Sequence, residues 1–270
     1  MNRLWLASMV TVLVASTGFA ADAPAVRLHS AGSLRAAMTD IAAAYNSAYG
    51  TAVDPVYGAS GALGDRLAKG EAGDVFTSAD MGYPEALTKA GISGPTVLFA
   101  RNHLCVVLRP GLPATPKTVL TTLLRSDIKI GTSSPDKDPG GAYAWAMFKK
   151  ADDVKPGSRA KLEAKALKMG GSEGPLSVPP NTKNAMVWLF QEKKLDAVLS
   201  YCTNGHAAAE QLPGISTVEL PPGLTVTADY GLTVLKSANQ QQGAQFALFI
   251  LSPTGQKILA DHGFDAPLQP

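Results

Sequence analysis

Two short Gly-Ser turns in the first third of the chain carry the residue types best suited to chemistry. Ala31-Gly32-Ser33-Leu34 lies between an apolar run over 26–29 and a helical pattern over 34–45. Gly58-Ala59-Ser60-Gly61 repeats the arrangement between a strand-like run over 53–57 and a helical segment over 62–68. A strand that turns sharply into a helix leaves the first N–H groups of that helix without intrahelical partners. Those groups sit at the positive end of the helix dipole, and a Ser hydroxyl beside them adds a donor, so the turn is suited to an anion. Two such turns aim two sets of donors at one ligand. Asp138-Pro139-Gly140-Gly141, before a helical segment over 142–150, is a third candidate turn.

Each of these residues also has a plainer use. Ser33 and Ser60 serve equally as helix caps, Gly140 as a residue that satisfies turn geometry, and Tyr201 as a core aromatic. Other chemistries fit less well. The spacing around Gly58 and Gly64 is wrong for a dinucleotide fingerprint. Ser134-Pro135-Asp136-Lys137 matches S-x-x-K but reads as loop and has no Lys-Thr-Gly partner. His29, His103, His206 and His262 are scattered without ligand spacing, which argues against a cation site.

The elements that must position these turns alternate between strand and helix, the pattern of an α/β fold with a mostly parallel sheet. Strands are expected at 74–78, 96–100, 104–108, 128–131, 197–200, 217–220 and 231–235. The polar residues 101–103 break the fourth pair of runs into two pieces, as a passage between two lobes would. Helices are expected at 84–90, 118–124, 160–168, 182–191 (capped by Asn181 or Thr182), 241–251 and 254–262, with a Gly- and Pro-rich loop over 170–180. A ligand in such a fold sits at loops beyond the C-terminal ends of strands.

The chain has 270 residues, 46% of them hydrophobic, enough for a substantial core in one large or two medium domains. Its 24 basic residues are dispersed and the net charge is only +2, which excludes the basic stripe of a nucleic-acid binder. Residues 1–20 have the form of an export signal: Arg3, an apolar stretch over 4–14, then Gly18-Phe19-Ala20. Cleavage is expected near Ala20, with Ala21 as the alternative, giving an exported protein. Cys105 and Cys202 are the only cysteines. In an oxidising compartment an even count favours a disulfide, the alternative being two buried thiols.

The ordered set Ala31-Gly32-Ser33-Leu34, Gly58-Ala59-Ser60-Gly61-Ala62-Leu63, Gly73-Asp74-Val75-Phe76-Thr77-Ser78-Ala79-Asp80 and Asp138-Pro139-Gly140-Gly141 resembles the periplasmic molybdate-binding proteins that feed ABC transporters. The resemblance covers essentially the whole mature chain. It implies a type II periplasmic binding-protein fold, α/β and two-lobed, with an oxyanion clamped in the cleft between lobes. Lobe one would comprise 21–101 and 230–270, lobe two 102–229, with hinges near 101–103 and 229–231. The family's two Ser ligands match Ser33 and Ser60. The amide after Pro in the third loop matches Gly140, and the Tyr at a strand end matches Tyr201. A further amide falls near Lys183. There the chain departs from the family: Thr182-Lys183-Asn184 replaces a small apolar residue followed by Arg, and a Lys side chain turned inward would change the charge of the cleft. The Cys105–Cys202 pair is not a general feature of that family.

The resulting expectation is a monomeric periplasmic solute-binding protein, without cofactor or catalysis, that captures a tetrahedral oxyanion for an inner-membrane ABC permease. Molybdate comes first, tungstate being nearly the same size. Three alternatives remain. The same fold could take another anion, such as sulfate or a small organic acid. It could be the sensor domain of a membrane receptor. Or a secreted hydrolase could use Ser33 or Ser60 with His29, four residues before Ser33, as its base.

Overall fold

The computed structural model describes residues 24–169, 176–179, 181–237 and 239–267. The expected export signal over 1–20 and most of the 170–180 loop lie outside them. Among the described residues no helix is long and apolar enough to cross a membrane.

The first half of the sheet is built as the alternation predicts. Strand β1 (Val26–Ala31) passes through a single 3-10 turn (Gly32–Leu34) into α1 (Arg35–Tyr49), which Gly50 closes in the left-handed region. Strand β2 (Val53–Gly58) leads to α2 (Ser60–Ala68), and β3 (Val75–Ser78) to α3 (Gly82–Lys89). β1 pairs in parallel with both β2 and β3. The chain then leaves along β4 (Val97–Leu108).

The second half repeats the alternation. It comprises α4 (Val119–Leu124), β5 (Ile130–Thr132), α5 (Pro139–Val154), α6 (Ser158–Lys165), β6 (Ala166–Lys168), α7 (Ala185–Gln191), β7 (Ala197–Tyr201), α8 (Cys202–Gln211) and β8 (Ser216–Glu219). Strand β9 (Thr227–Val234) returns to the first half, where α9 (Gln240–Leu251) and α10 (Pro253–Asp261) finish the chain. The strand order is β2-β1-β3-β9-β4-β7-β5-β6, with β8 on β4. β4 exchanges partners midway: it pairs with β9 through His103 and with β7 from Leu104.

Each half-sheet is covered on both faces, and the period-2 alternation of strands decides which residue faces which layer. In β3, Val75 joins the cluster of Met38, Ile41, Phe246 and Ile250, while Phe76 joins Leu63, Leu67 and Leu87. In β4, Val106 packs with Met147 and Phe148, whereas Val107 packs with Leu189 and Phe190. Two lobes, each a sheet between helices, follow from this pattern.

Five expectations change. The sheet is not mostly parallel: β4 and β9 run antiparallel to all their partners, so four of the eight strand pairings among the described residues are antiparallel. The polar residues 101–103 do not break β4, because every one of them finds partners. Arg101 Nε donates to Asp229 at 2.8 Å, and the buried Asn102 donates to Thr203 Oγ1 at 2.9 Å. The helix expected over 160–168 ends at Lys165, and Ala166–Lys168 becomes an edge strand parallel to β5. The helix expected from residue 182 starts at Ala185, because Asn184, not Asn181 or Thr182, accepts the N–H groups of Met186 and Val187. Helix α8 was not expected at all. Gly205 inside it reads as a breaker, yet a Cβ there would come 2.4 Å from Thr217 Oγ1, so glycine lets α8 lie directly on β4 and β8.

Candidate functional site

A cleft of about 440 Å³ runs between the lobes. Ser33, Ser60, Gly140, Lys183 and Tyr201 all line it. Each lies just beyond the C-terminal end of a strand or at the start of a helix. Ser33 follows β1 and Ser60 follows β2. Gly140 is in the first turn of α5, and Tyr201 ends β7 and precedes α8. The N-termini of α2, α5 and α8 therefore face one space, and their partial positive charges add there.

The hydroxyls differ in how they are held. Ser60 is buried and its Oγ accepts the Ala79 N–H at 3.0 Å, which leaves its own proton to donate into the cleft. Ser33 Oγ lies 3.0 Å from the Tyr230 hydroxyl. The Tyr201 side chain is 4% exposed, and its hydroxyl has no hydrogen-bond partner among the described residues. Burial, reinforced by the nearby Tyr230 hydroxyl, raises its pKa well above the usual tyrosine value. It is therefore a neutral O–H buried in the cleft wall beside the Tyr230 hydroxyl.

Gly140 is engaged differently from the expectation. Its N–H donates to Asp138 Oδ1 at 2.9 Å, as part of the cap on α5. Asp138 itself lines the cleft, and burial raises its pKa. Lys183 is exposed at the rim, next to the Asn184 cap of α7. The residues missed by sequence reasoning include Arg35, Asn204, Gln211 and His262, all in the cleft wall. Arg35 was visible two positions after Ser33. The other three come from α8 and from the residue after α10, where no turn motif marks them.

The lobes touch across this space. Tyr143 of α5 donates its hydroxyl to the Ala79 carbonyl at 3.3 Å. A Cβ at Gly61 of α2 would lie 2.7 Å from the Lys137 carbonyl of the other lobe. Beneath, Tyr143, Tyr201, Tyr230 and Phe264 form a run of edge-to-face contacts with centroids 5.5–6.3 Å apart. Cys105 of β4 and Cys202, next to Tyr201, are joined in a disulfide.

His29 is not brought to the cleft. It is buried within β1, and its Nε2 lies 3.0 Å from Glu71 Oε1 on the side of α2. The Ser–His pair that a hydrolase would need from it is not assembled. No group of three or more metal-ligating side chains occurs among the described residues.

Known proteins agree with this architecture. Over 241 residues the chain is 30% identical to the uncharacterized protein PM1146 of Pasteurella multocida, covering 88% of this chain and 98% of that one. It is 25% identical to the molybdate-binding protein ModA of Mycobacterium bovis, over 91% of this chain and 86% of the other. Among solved structures, the periplasmic molybdate-binding protein of Azotobacter vinelandii superposes with a TM-score of 0.73 at 20% identity, covering 90% of this chain and all of that one. The sulfate-binding protein SubI of Mycobacterium tuberculosis gives 0.74 at 19%, covering 90% and 87%. The model of the bacterial extracellular solute-binding proteins matches residues 26–265, nearly the whole described chain, and the protein belongs to that family.

Proposed function

We propose that this protein captures a tetrahedral oxyanion in the periplasm and delivers it to an ABC permease, with molybdate the first ligand to test and tungstate the second. The observation that carries the reading is the convergence of Ser33, Ser60 and the unpartnered Tyr201 hydroxyl on one cleft faced by helix N-termini. An oxyanion with four oxygens takes several short O–H and N–H donors from different directions, and these residues supply them from both lobes. Ligand bridging the lobes would favour the closed arrangement that a permease distinguishes from the open one, with bending at 101–103 and 229–231. The relative named for molybdate supports this choice of ion. Metal–oxygen bonds are longer than S–O bonds, so a rigid ring of donors separates molybdate and tungstate from sulfate by size.

Calorimetric titration of the mature protein with molybdate, tungstate, sulfate and phosphate tests the reading. Tight binding of the first two, lost in Ser60→Ala, is expected. Silence with all four ions from a protein that melts cooperatively would end it.

A further inference from the structure

Tyr143 is a side chain that both lobes share. It projects from α5 of the second lobe, one turn after Gly140 and on the same helix face. Its partly buried ring packs against the first-lobe core cluster that contains Phe246 and Ile250. It packs equally against the second-lobe cluster that contains Met147 and Phe148. The ring also meets the Tyr201 ring edge to face, with 6.3 Å between centroids. Tyr143 stands behind the cleft wall, while Ala79 and Tyr201, both of which it touches, line the cleft.

The Tyr143 hydroxyl donates to the Ala79 carbonyl of the first lobe at 3.3 Å. Ala79 is buried, and its N–H in turn donates to Ser60 Oγ at 3.0 Å. That bond occupies a lone pair of Ser60 Oγ and leaves the serine proton free to donate into the cleft. Ala79 thus receives the second lobe on its carbonyl and holds a proposed oxyanion donor with its N–H. Burial, reinforced by the nearby Asp80 and Asp229, raises the Tyr143 pKa, so the hydroxyl keeps the proton it donates. Donor and acceptor belong to different lobes, so the bond breaks when the lobes part and water takes its place.

We infer that Tyr143 is a closing latch, a positioning residue that fastens the second lobe to the support of Ser60 and so sets how long an oxyanion stays bound. This inference rests on the oxyanion reading of the cleft. On closure Tyr143 fixes Ala79, Ala79 fixes Ser60, and the Tyr143 ring backs Tyr201. Donors from the two lobes are then held together by a residue outside the binding surface. An ion entering the open cleft does not meet the latch, whereas an ion leaving the closed one must wait for it to open. The latch therefore acts on release rather than on capture.

The test compares the mature parent with Tyr143→Phe, which keeps the ring and removes only the hydroxyl. Binding and release of molybdate, then of tungstate, are followed by stopped-flow tryptophan fluorescence, with Trp145 of α5 and Trp188 of α7 as reporters. Calorimetry gives the Kd values, and thermal melts are recorded with and without the ion. In Tyr143→Phe, release should be roughly three- to tenfold faster, the effect of one neutral hydrogen bond. Kd should weaken by the same factor, the association rate should stay within about twofold, and the ligand-free melt should not change. Tyr143→Leu, which also removes the ring behind Tyr201, should release the ion faster still. Release at the parent rate, or a loss of affinity carried by slower association, would overturn the latch and leave the oxyanion reading intact. A calorimetric blank with both ions, from parent protein that melts cooperatively, would end the oxyanion reading and the latch with it.

Discussion

The Ser33 hydroxyl of the first lobe lies 3.0 Å from the Tyr230 hydroxyl, and the Tyr230 ring meets the Tyr201 ring of the second lobe at 5.6 Å between centroids. Tyr230 belongs to β9, one of the two strands that connect the lobes. The donors offered by each lobe are thus held in register by a residue of the connection itself. Only one of the three hydroxyls, that of Tyr201, is without a partner among the described residues.

That asymmetry separates binding from stability. Replacing Tyr201 by Phe removes a buried hydroxyl that makes no hydrogen bond, so the melting temperature should hold or rise slightly. A hydrogen bond to a charged ligand contributes roughly 1.5–3 kcal/mol, so oxyanion affinity should fall about 10- to 100-fold. In Tyr230→Phe the order reverses: Ser33 loses its partner and the melt drops by the equivalent of about 1 kcal/mol. Calorimetry and thermal melts on the two variants decide this. Unchanged affinity in Tyr201→Phe would remove Tyr201 from the site.

The Cys105–Cys202 bridge closes a loop of 97 residues and anchors the start of α8 to β4. In the chain-entropy model a loop of this size contributes about 4–5 kcal/mol by restricting the unfolded chain. The double variant Cys105→Ala/Cys202→Ala should therefore unfold at clearly lower denaturant, with a loss of at least about 2 kcal/mol. Because Cys202 adjoins Tyr201, ligand affinity should weaken as well. Denaturant curves of the parent with and without reductant provide the check, and superimposable curves would count against a stabilising bridge.

The first lobe was the more legible in sequence, for a physical reason. Its turns at Gly32-Ser33 and Gly58-Ala59-Ser60 join a strand to a helix directly, so local chemistry and tertiary role coincide. Where the fold depends on remote partners the sequence was silent. Residues 101–103 look like a break because their polar side chains find their partners, Asp229, Thr203 and Asp265, more than a hundred positions away. Helix α8 was not marked in the sequence: glycine in a helix interior disfavours the helix, and the reason for Gly205 lies in Thr217 on β8. The five proposed site residues were brought to one cleft, but the length of that cleft comes from α8 and could not be read before α8 was seen.

A second buried anchor fixes the base of the first lobe and sets its acid sensitivity. The Asp74 side chain is fully buried and accepts from Arg27 N and Nη2, each at 2.8 Å, from Ser237 Oγ at 2.7 Å and from Asn239 Nδ2 at 3.2 Å. Burial alone would raise its pKa; the hydrogen bonds, led by those from Arg27, outweigh burial and hold it at about 2. A carboxylate depressed in the folded state contributes its full stability above the unfolded value and loses it as pH falls through the folded one. Asp74 should thus contribute roughly 2 kcal/mol at neutral pH, lost between about pH 4 and pH 2. Asp74→Asn should be less stable than the parent at pH 7, with the difference narrowing below pH 4. Melts across that range measure it, and a difference that stays constant with pH would contradict the assignment.

Lobe closure offers a test in which stability and affinity move in opposite directions. Gly61 lies in the first turn of α2, where alanine is the better helix former by up to about 1 kcal/mol. The three atoms crowding an added Cβ, Tyr83 Oη and Cζ and the Lys137 carbonyl oxygen, are of two kinds. Tyr83 Oη, at 2.7 Å, is the far end of a side chain that can move aside. The Lys137 carbonyl, also at 2.7 Å, is backbone of the opposite lobe and approaches only when the lobes are together. Gly61→Ala should therefore melt no lower than the parent while penalising the closed form. Affinity for the oxyanion should drop about tenfold, a closure cost of about 1.4 kcal/mol. Small-angle scattering with saturating ligand should show a larger radius of gyration for the variant than for the parent. Equal affinity and equal radius would mean that Gly61 does not limit closure, and that the contact with Lys137 relaxes without cost.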